Sequence, residues 1–419
     1  MIAVLAGGRV AVDGALQPAD VVIDGGRITA IVAPGAGPSA SGTATIVDCH
    51  DVVVAPGFID LQCNGAGGID LTSMPDGIAD VGRALLPFGV TAYLPTLVTS
   101  PAHVRARAIA AMTAVRARGW HRRDGATALG LHFEGPAISP DHLGAHPARF
   151  VAVPDREEIA RWVDSGVVAL VTLAPEVDGA MAMTAQLADG GVVVSAGHTA
   201  MTPVDFAAAR SAGVGCVTHL FNAMRPFSHR DPGPIGSTLA DDSVVVGLIC
   251  DGIHVDPIAV RMAWNALGPH RVSLVSDAVA PLGAPYGTFP LGNGEVVYDE
   301  TGVRTKAGVL AGSALALDLA LRNLIGFTGC SLGEAIATVT STPAELLGLT
   351  DRGRVAVGNR ADLTLLDEGG HALATVIEGS LEWSAPSWAG ASSWGASSWV
   401  GASSRSRDRT GGQAGGQAQ

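Results

Sequence analysis

Residues able to bind a metal or move a proton stand at the ends of successive apolar runs: Asn64, Glu134, Glu176, His198, His219, Asp251 with His254, and Asp277. Glu134, His198 and His219 make one carboxylate and two imidazoles. Three such ligands with room for water is the composition of a catalytic zinc site, whereas a closed structural site takes four ligands, usually with thiolates. No cysteine here has C-x-x-C spacing. A divalent cation held this way lowers the pKa of its water and supplies a hydroxide nucleophile. Asp277 is then the candidate to take the water's proton and pass it to a leaving group. His254 is the candidate to hydrogen-bond a carbonyl oxygen as negative charge develops there. Singly, each has a blander reading: a lone buried histidine is more often a structural hydrogen-bonded residue, and Asp277 in "SDAVAP" is placed to cap a helix. The joint pattern is much harder to obtain by chance. The first of these runs, "PGFIDLQCNG", ends in Gln62 and Asn64, and neither amide is a good ligand for a transition metal. From the residues alone, either the chain binds no metal or it binds one elsewhere.

Elements must bring these ends together. Between residues 56 and 353 we count eight apolar runs of strand length: "GFIDLQ", "VTAYLP", "ALGLHFEG", "VVALVTLAPE", "GVVVSAGH", "GCVTHLFN", "VVVGLICDG" and "RVSLVSDA". Ala-rich stretches of helical period, such as "TPVDFAAARSAG", separate most of them. Alternating strands and helices predict an α/β fold, a (β/α)8 TIM-type barrel whose strand ends converge on one rim. Nearly continuous apolar runs suit strands covered on both faces. Residues 1–55 and 354–384 carry a different texture, short alternating runs punctuated by Gly, Pro and Asp, and predict one small β-sandwich domain built from both chain ends. Residues 385–419, a degenerate Gly-Ala-Ser-Ser-Trp repeat with Trp388, Trp394 and Trp399 followed by a Gly/Gln stretch, have the composition of a disordered tail.

Bulk composition narrows the function classes. With 419 residues, the chain has room for a barrel of about 250 residues plus a smaller domain. A net charge of −13 and the lack of any basic run argue against a nucleic-acid partner. No secretory signal and no stretch of about 18 uncharged apolar residues is seen, so no membrane partner is expected. The five cysteines are odd in number and read as buried apolar groups in a reducing compartment, which predicts a cytoplasmic protein.

The stretches "GFIDLQCNG", "LHFEGP", "VSAGHT", "THLFNAM", "DGIHVD" and "LVSDAVAP" occur in the order and contexts of the N-acetylglucosamine-6-phosphate deacetylases of the amidohydrolase superfamily, which the chain resembles over roughly residues 1–383. "PGFID" and "GNRADL" alone indicate only an amidohydrolase; "HFEGP" with "THLFNAM" and "DGIH" points to the deacetylases. The resemblance implies hydrolysis of N-acetylglucosamine 6-phosphate to glucosamine 6-phosphate and acetate, in amino-sugar catabolism. It also implies one divalent cation per chain on Glu134, His198 and His219, zinc first, with Fe2+, Co2+ or Mn2+ as alternatives. Some members carry His-x-His on the first strand and hold a second metal; Gln62 and Asn64 are then remnants of that second site.

Matched motif by motif, the resemblance places Ala145 and His146 near the sugar, Asn222 and Ala223 at the phosphate end, and Asp251 and His254 on sugar and carbonyl. Leu310, Ala311 and Gly312 belong to a loop covering the substrate. Arg230 matches a phosphate-binding arginine that, in dimeric relatives, reaches in from the neighbouring subunit, so a homodimer is implied. The segment "APLGAPYGTFPLGNGEVVYDE" departs from the family in length and content, which leaves the cover over the sugar open. The enzymatic alternative is another amidohydrolase, for a different N-acetyl amino sugar or a cyclic amide. Many of those bridge two metals with a carbamylated lysine, and Lys306, the only lysine, lies after the eighth strand. The alternative from another class, a non-catalytic barrel scaffold, is disfavoured by the presence of Glu134, His198, His219 and Asp277 together.

Overall fold

The computed structural model describes residues 2–37 and 44–394. Eight parallel strands form the barrel: β1 (Phe58–Cys63), β2 (Val90–Leu97), β3 (Leu131–Glu134), β4 (Val168–Leu173), β5 (Val193–Ala196), β6 (Val214–Val217), β7 (Val245–Leu248) and β8 (Val272–Leu274). Each pairs with the next in sequence. The ring closes just past the end of β8, where the Asn64 amide donates to the Ala278 carbonyl at 2.7 Å and Cys63 bridges Ala278 in parallel. These are the eight apolar runs of the sequence. β1 and β2 are buried at every position, as a sheet packed inside and out requires.

The connecting helices explain the loops at the rim. After β5, Thr202 caps the helix Pro203–Ala212 by accepting from the Asp205 amide, Asp205 returns the bond, and Pro203 takes the first helical position. That cap ends the segment carrying His198. After β7, Asp256 caps Pro257–Leu267 by accepting from the Ile258 amide, again with proline at the first helical position, two residues beyond His254. No helix follows Asp277 directly; the next starts at Leu317, so the helix-cap reading of Asp277 does not hold. The stretch that departs from the family folds instead into an antiparallel three-stranded sheet, Gly287–Leu291, Gly294–Asp299 and Gly302–Thr305. Its buried Val296 and Val303 pack with Val279 and Ala311 above the barrel rim.

Apart from the two-stranded ribbon of Gly65–Ala66 and Ile69–Asp70 and the short strand Thr127–Ala128 beside β2, the remaining strands form two sheets that share one core. One orders Arg27–Val32, Asp20–Asp24, Ala3–Ala6 and Thr45–Asp48; the other includes Arg9–Val12, Val53–Pro56, Leu363–Leu366 and Ala372–Ile377. Leu5, Val21 and Ile23 from the first meet Val54, Leu363 and Val376 from the second. Strands from both chain ends thus make the sandwich. The expectation of an unstructured tail fails at its start. Trp388 and Trp394 are buried in this same core, the Ala385 amide donates to the Leu373 carbonyl at 2.8 Å, and Ala389–Trp394 form a 3-10 turn. Composition alone hid this, because two buried indoles are enough to anchor a stretch of small residues. Residues 395–419, with Trp399, lie outside the described residues.

Candidate metal centre and active site

The strand ends bring the three candidate ligands to one point. Glu134 ends β3, while His198 and His219 stand two residues beyond β5 and β6. His219 Nε2 lies 2.9 Å from Glu134 Oε1 and 3.1 Å from His198 Nε2, and His198 Nε2 lies 3.1 Å from the same carboxylate oxygen. All three residues are buried. Metal–ligand bonds of about 2.1 Å in a tetrahedral shell place ligand atoms about 3.4 Å apart, close to what is seen.

The protonation pattern says what this point wants. His198 Nδ1 faces the His142 carbonyl at 2.9 Å, and a carbonyl only accepts, so Nδ1 carries the proton. That leaves Nε2 as the ring nitrogen turned toward Glu134 Oε1 and His219 Nε2, the point where a shared cation would sit. The carbonyl behind the ring is the usual support of a metal-bound imidazole. Glu134 fits the same view: burial alone would raise its carboxyl, yet His146, His198 and His219 hold it well below the ordinary range. The donor set therefore fits a divalent cation.

The backbone is bent to make this convergence. His198, His219 and Asp277 have φ of +50°, +31° and +46°, and Phe221 and Ala223 have +79° and +50°. Non-glycine residues in this region cost about 1–2 kcal/mol each. Asp13, Asp51 and Glu378 complete the set among the described residues, so most of this strain gathers at one rim.

Asp277 faces the centre with one oxygen pinned. Its Oδ1 accepts from Asn64 Nδ2 at 2.7 Å and from Gln62 Nε2 at 3.1 Å, and Gln62 Nε2 also donates to Glu134 Oε1 at 2.9 Å. Burial pushes the Asp277 carboxyl up to about 8, and the Glu134 charge adds to the rise, while His219 and the Asn64 bond oppose it. One residue back, Ser276 Oγ donates to Asp60 Oδ2 at 2.5 Å and Ser313 Oγ donates to the Ser276 carbonyl at 2.5 Å, so the residue that precedes Asp277 is tied down at side chain and backbone.

A cavity opens over this cluster. Of the residues expected from the sequence, Asn64, Glu134, Ala145, His146, His198, His219, Asn222, Ala223, His254, Asp277, Leu310 and Gly312 line it. Gln62 lies behind Asn64 and Glu134 rather than on the wall. Ala311 is buried in the packing of the three-stranded sheet. Asp251, expected against the sugar, is outside the lining and holds its own loop: its carboxylate accepts from His254 Nδ1 at 2.7 Å and from the amides of Ile253 and His254, both at 2.8 Å. Arg230 is exposed and outside the lining. Lys306 pairs with Glu295 on the surface at 2.6 Å, so no lysine bridges ligands here.

Other residues of the site were not singled out in the sequence. Ile249, Val279 and Leu291 line the cavity, but an apolar residue beside a strand end looks like any core residue. Thr99 Oγ1 meets His146 Nδ1 at 2.8 Å. Glu176, by contrast, is one of the strand-end residues picked out in the sequence; beyond β4 it accepts from Thr199 Oγ1 and the Ala200 amide, both at 2.6 Å, and so ties down the segment that carries His198.

Comparison with known proteins agrees with this geometry. Residues 53–393 match the model of the amidohydrolase family. The chain is 39% identical over 357 residues to the N-acetylglucosamine-6-phosphate deacetylase of Rattus norvegicus, covering 81% of this chain and 85% of that one. The crystal structure of the Pasteurella multocida N-acetylglucosamine-6-phosphate deacetylase superposes with a TM-score of 0.86 at 28% identity, covering 92% of this chain and 100% of that one. An alanine mutant of the Mycobacterium smegmatis enzyme, in complex with N-acetyl-D-glucosamine 6-phosphate, superposes with a TM-score of 0.82 at 32% identity over 91% of this chain and 99% of that one. With strand ends, ligand set and relatives in agreement, the chain belongs to the amidohydrolase family, among its N-acetylglucosamine-6-phosphate deacetylases.

Proposed function

We propose that this protein hydrolyses N-acetyl-D-glucosamine 6-phosphate to D-glucosamine 6-phosphate and acetate, with Glu134, His198 and His219 holding one divalent ion. The observation that carries it is the convergence of Glu134 Oε1, His198 Nε2 and His219 Nε2 within 3.1 Å of one another beneath a cavity walled by Asp277 and His254. Two imidazoles and one carboxylate favour zinc. When bound, the cation polarises the amide carbonyl and acidifies a water. Asp277 takes the proton of that water and returns it to the departing nitrogen. Asp251 fixes the His254 ring through Nδ1, which leaves Nε2 as the ring atom to meet the carbonyl oxygen as charge develops. Ala145 and His146 flank the sugar, under the loop of Leu310 and Gly312.

The phosphate falls to the Asn222–Ala223 end of the cavity, completed by Arg230 of a second copy in a homodimer. That Arg230 is exposed and outside its own chain's cavity supports this reading, and its fork suits a phosphate. A cytoplasmic setting is supported by five free cysteines, all buried. The test is Arg230→Ala with two substrates. We expect kcat/KM for the 6-phosphate to fall by about tenfold to a few hundredfold, the range for charged hydrogen bonds, while slow turnover of unphosphorylated N-acetylglucosamine stays level. Equal loss on both, or loss on neither, contradicts the phosphate assignment.

A further inference from the structure

Asn64 is buried, lines the cavity, and has a side-chain oxygen, Oδ1, with no hydrogen-bond partner among the described residues. Its other side-chain atom is committed: Nδ2 donates to Asp277 Oδ1 at 2.7 Å. Asp277 Oδ1 accepts from a second amide NH2 as well, that of Gln62 at 3.1 Å, so this oxygen faces two donors and the NH2 group of Asn64 is the end turned to it. Its backbone is locked as well, the Asn64 amide donating to the Ala278 carbonyl at 2.7 Å and its carbonyl accepting from Leu71 at 2.9 Å. A rigid, buried and unsatisfied acceptor beside the proton carrier is costly unless something in the cavity donates to it.

The substrate reading above, on which this inference rests, supplies one matching donor at the reacting centre: the amide N–H. We propose that Asn64 is a substrate-contacting residue whose Oδ1 accepts the hydrogen bond of the scissile amide N–H. With Nδ2 on Asp277 and Oδ1 on the substrate nitrogen, a single side chain sets the spacing between the proton donor and the atom it protonates. The N–H is held toward Asn64, so the nitrogen lone pair that appears as the carbonyl becomes tetrahedral is left for Asp277. On C–N cleavage the electron pair stays on nitrogen, the Asp277 proton joins it, and the amine leaves with its original N–H still on Asn64. The amide at this position of the first strand, a poor metal ligand, thus acts as a reader of the bond to be cut.

The test compares the 6-phosphate amide with its ester isologue, in which oxygen replaces N–H, in metal-loaded wild type, Asn64→Ala, Asn64→Leu and Gln62→Leu. Loss of the Asp277 contact weakens both reactions alike; loss of the N–H acceptor weakens only the amide. We expect either Asn64 variant to lower the amide-to-ester ratio of kcat/KM by about fivefold to tenfold, the worth of one neutral hydrogen bond. Gln62→Leu removes a donor to Asp277 and to Glu134 but no substrate acceptor, so it lowers both rates and leaves the ratio alone. A ratio unchanged in the Asn64 variants, with both rates reduced, overturns the proposal and makes Asn64 a support for Asp277 only. A wild type that releases acetate from the ester but not from the amide overturns the deacetylase reading itself, and the proposal with it.

Discussion

At the scale of single residues, Asp277 carries the sharpest expectations. Asp277→Asn keeps size and leaves an acceptor for Asn64 and Gln62, so fold and metal content should hold. The amide takes no proton at neutral pH, and kcat should fall about 10²–10⁴-fold. Near-normal turnover on acetate release would point to another base. The same residue sets how metal binding depends on pH. Without a cation its carboxyl is pushed up to about 8 by burial and the Glu134 charge, so it is largely protonated at pH 7. A cation beside it favours the carboxylate, and loading releases that proton. Affinity should therefore rise from pH 7 to 8, by up to about tenfold per unit, and level off above. Asp277→Asn should flatten that rise, as competition with a chelator at each pH would show. Most of these site residues were legible because strand ends in a barrel share one rim. That Asp251 fixes His254 was not legible, because its three hydrogen bonds, all within its own loop, leave no trace in residue type or spacing.

At the scale of elements, convergence depends on short segments held by side chains. The stretch from β5 to the capped helix Pro203–Ala212 carries His198 in a left-handed conformation, and Glu176 from the neighbouring loop grips it at Thr199 and Ala200. Glu176→Ala removes both bonds without touching a ligand. We expect the metal dissociation constant to rise about 10–100-fold with the secondary structure intact, measured against a chelator by circular dichroism in parallel. The barrel strands were readable as uninterrupted apolar runs, since strands buried on both faces leave no polar alternation to confuse with a surface. The three-stranded sheet over the cavity was not. Its strands expose much of their length and are broken by Gly292, Gly294 and Gly302, so their sequence looks like loop.

At the scale of the whole molecule, the chain ends matter more than composition implies. Trp388 and Trp394 fill the core between the two sheets of the small domain, whereas low-complexity sequence around them suggested no packing at all. Trp394→Ala should cost about 3 kcal/mol, the range for losing a buried aromatic, and should lower the melting temperature of the sandwich. The catalytic cluster lies at the barrel rim, so kcat should be unchanged at a temperature where the variant is folded. A melting temperature equal to wild type would mean that the indoles are not buried in solution. The central claim is that one cation, held by Glu134, His198 and His219, drives the deacetylation. Its most direct test is to strip the protein of metal, titrate it with Zn2+, and follow acetate release from N-acetylglucosamine 6-phosphate. The account predicts no activity at zero equivalents and a linear rise that breaks at one per chain; activity that survives stripping, or a break at two, would contradict it.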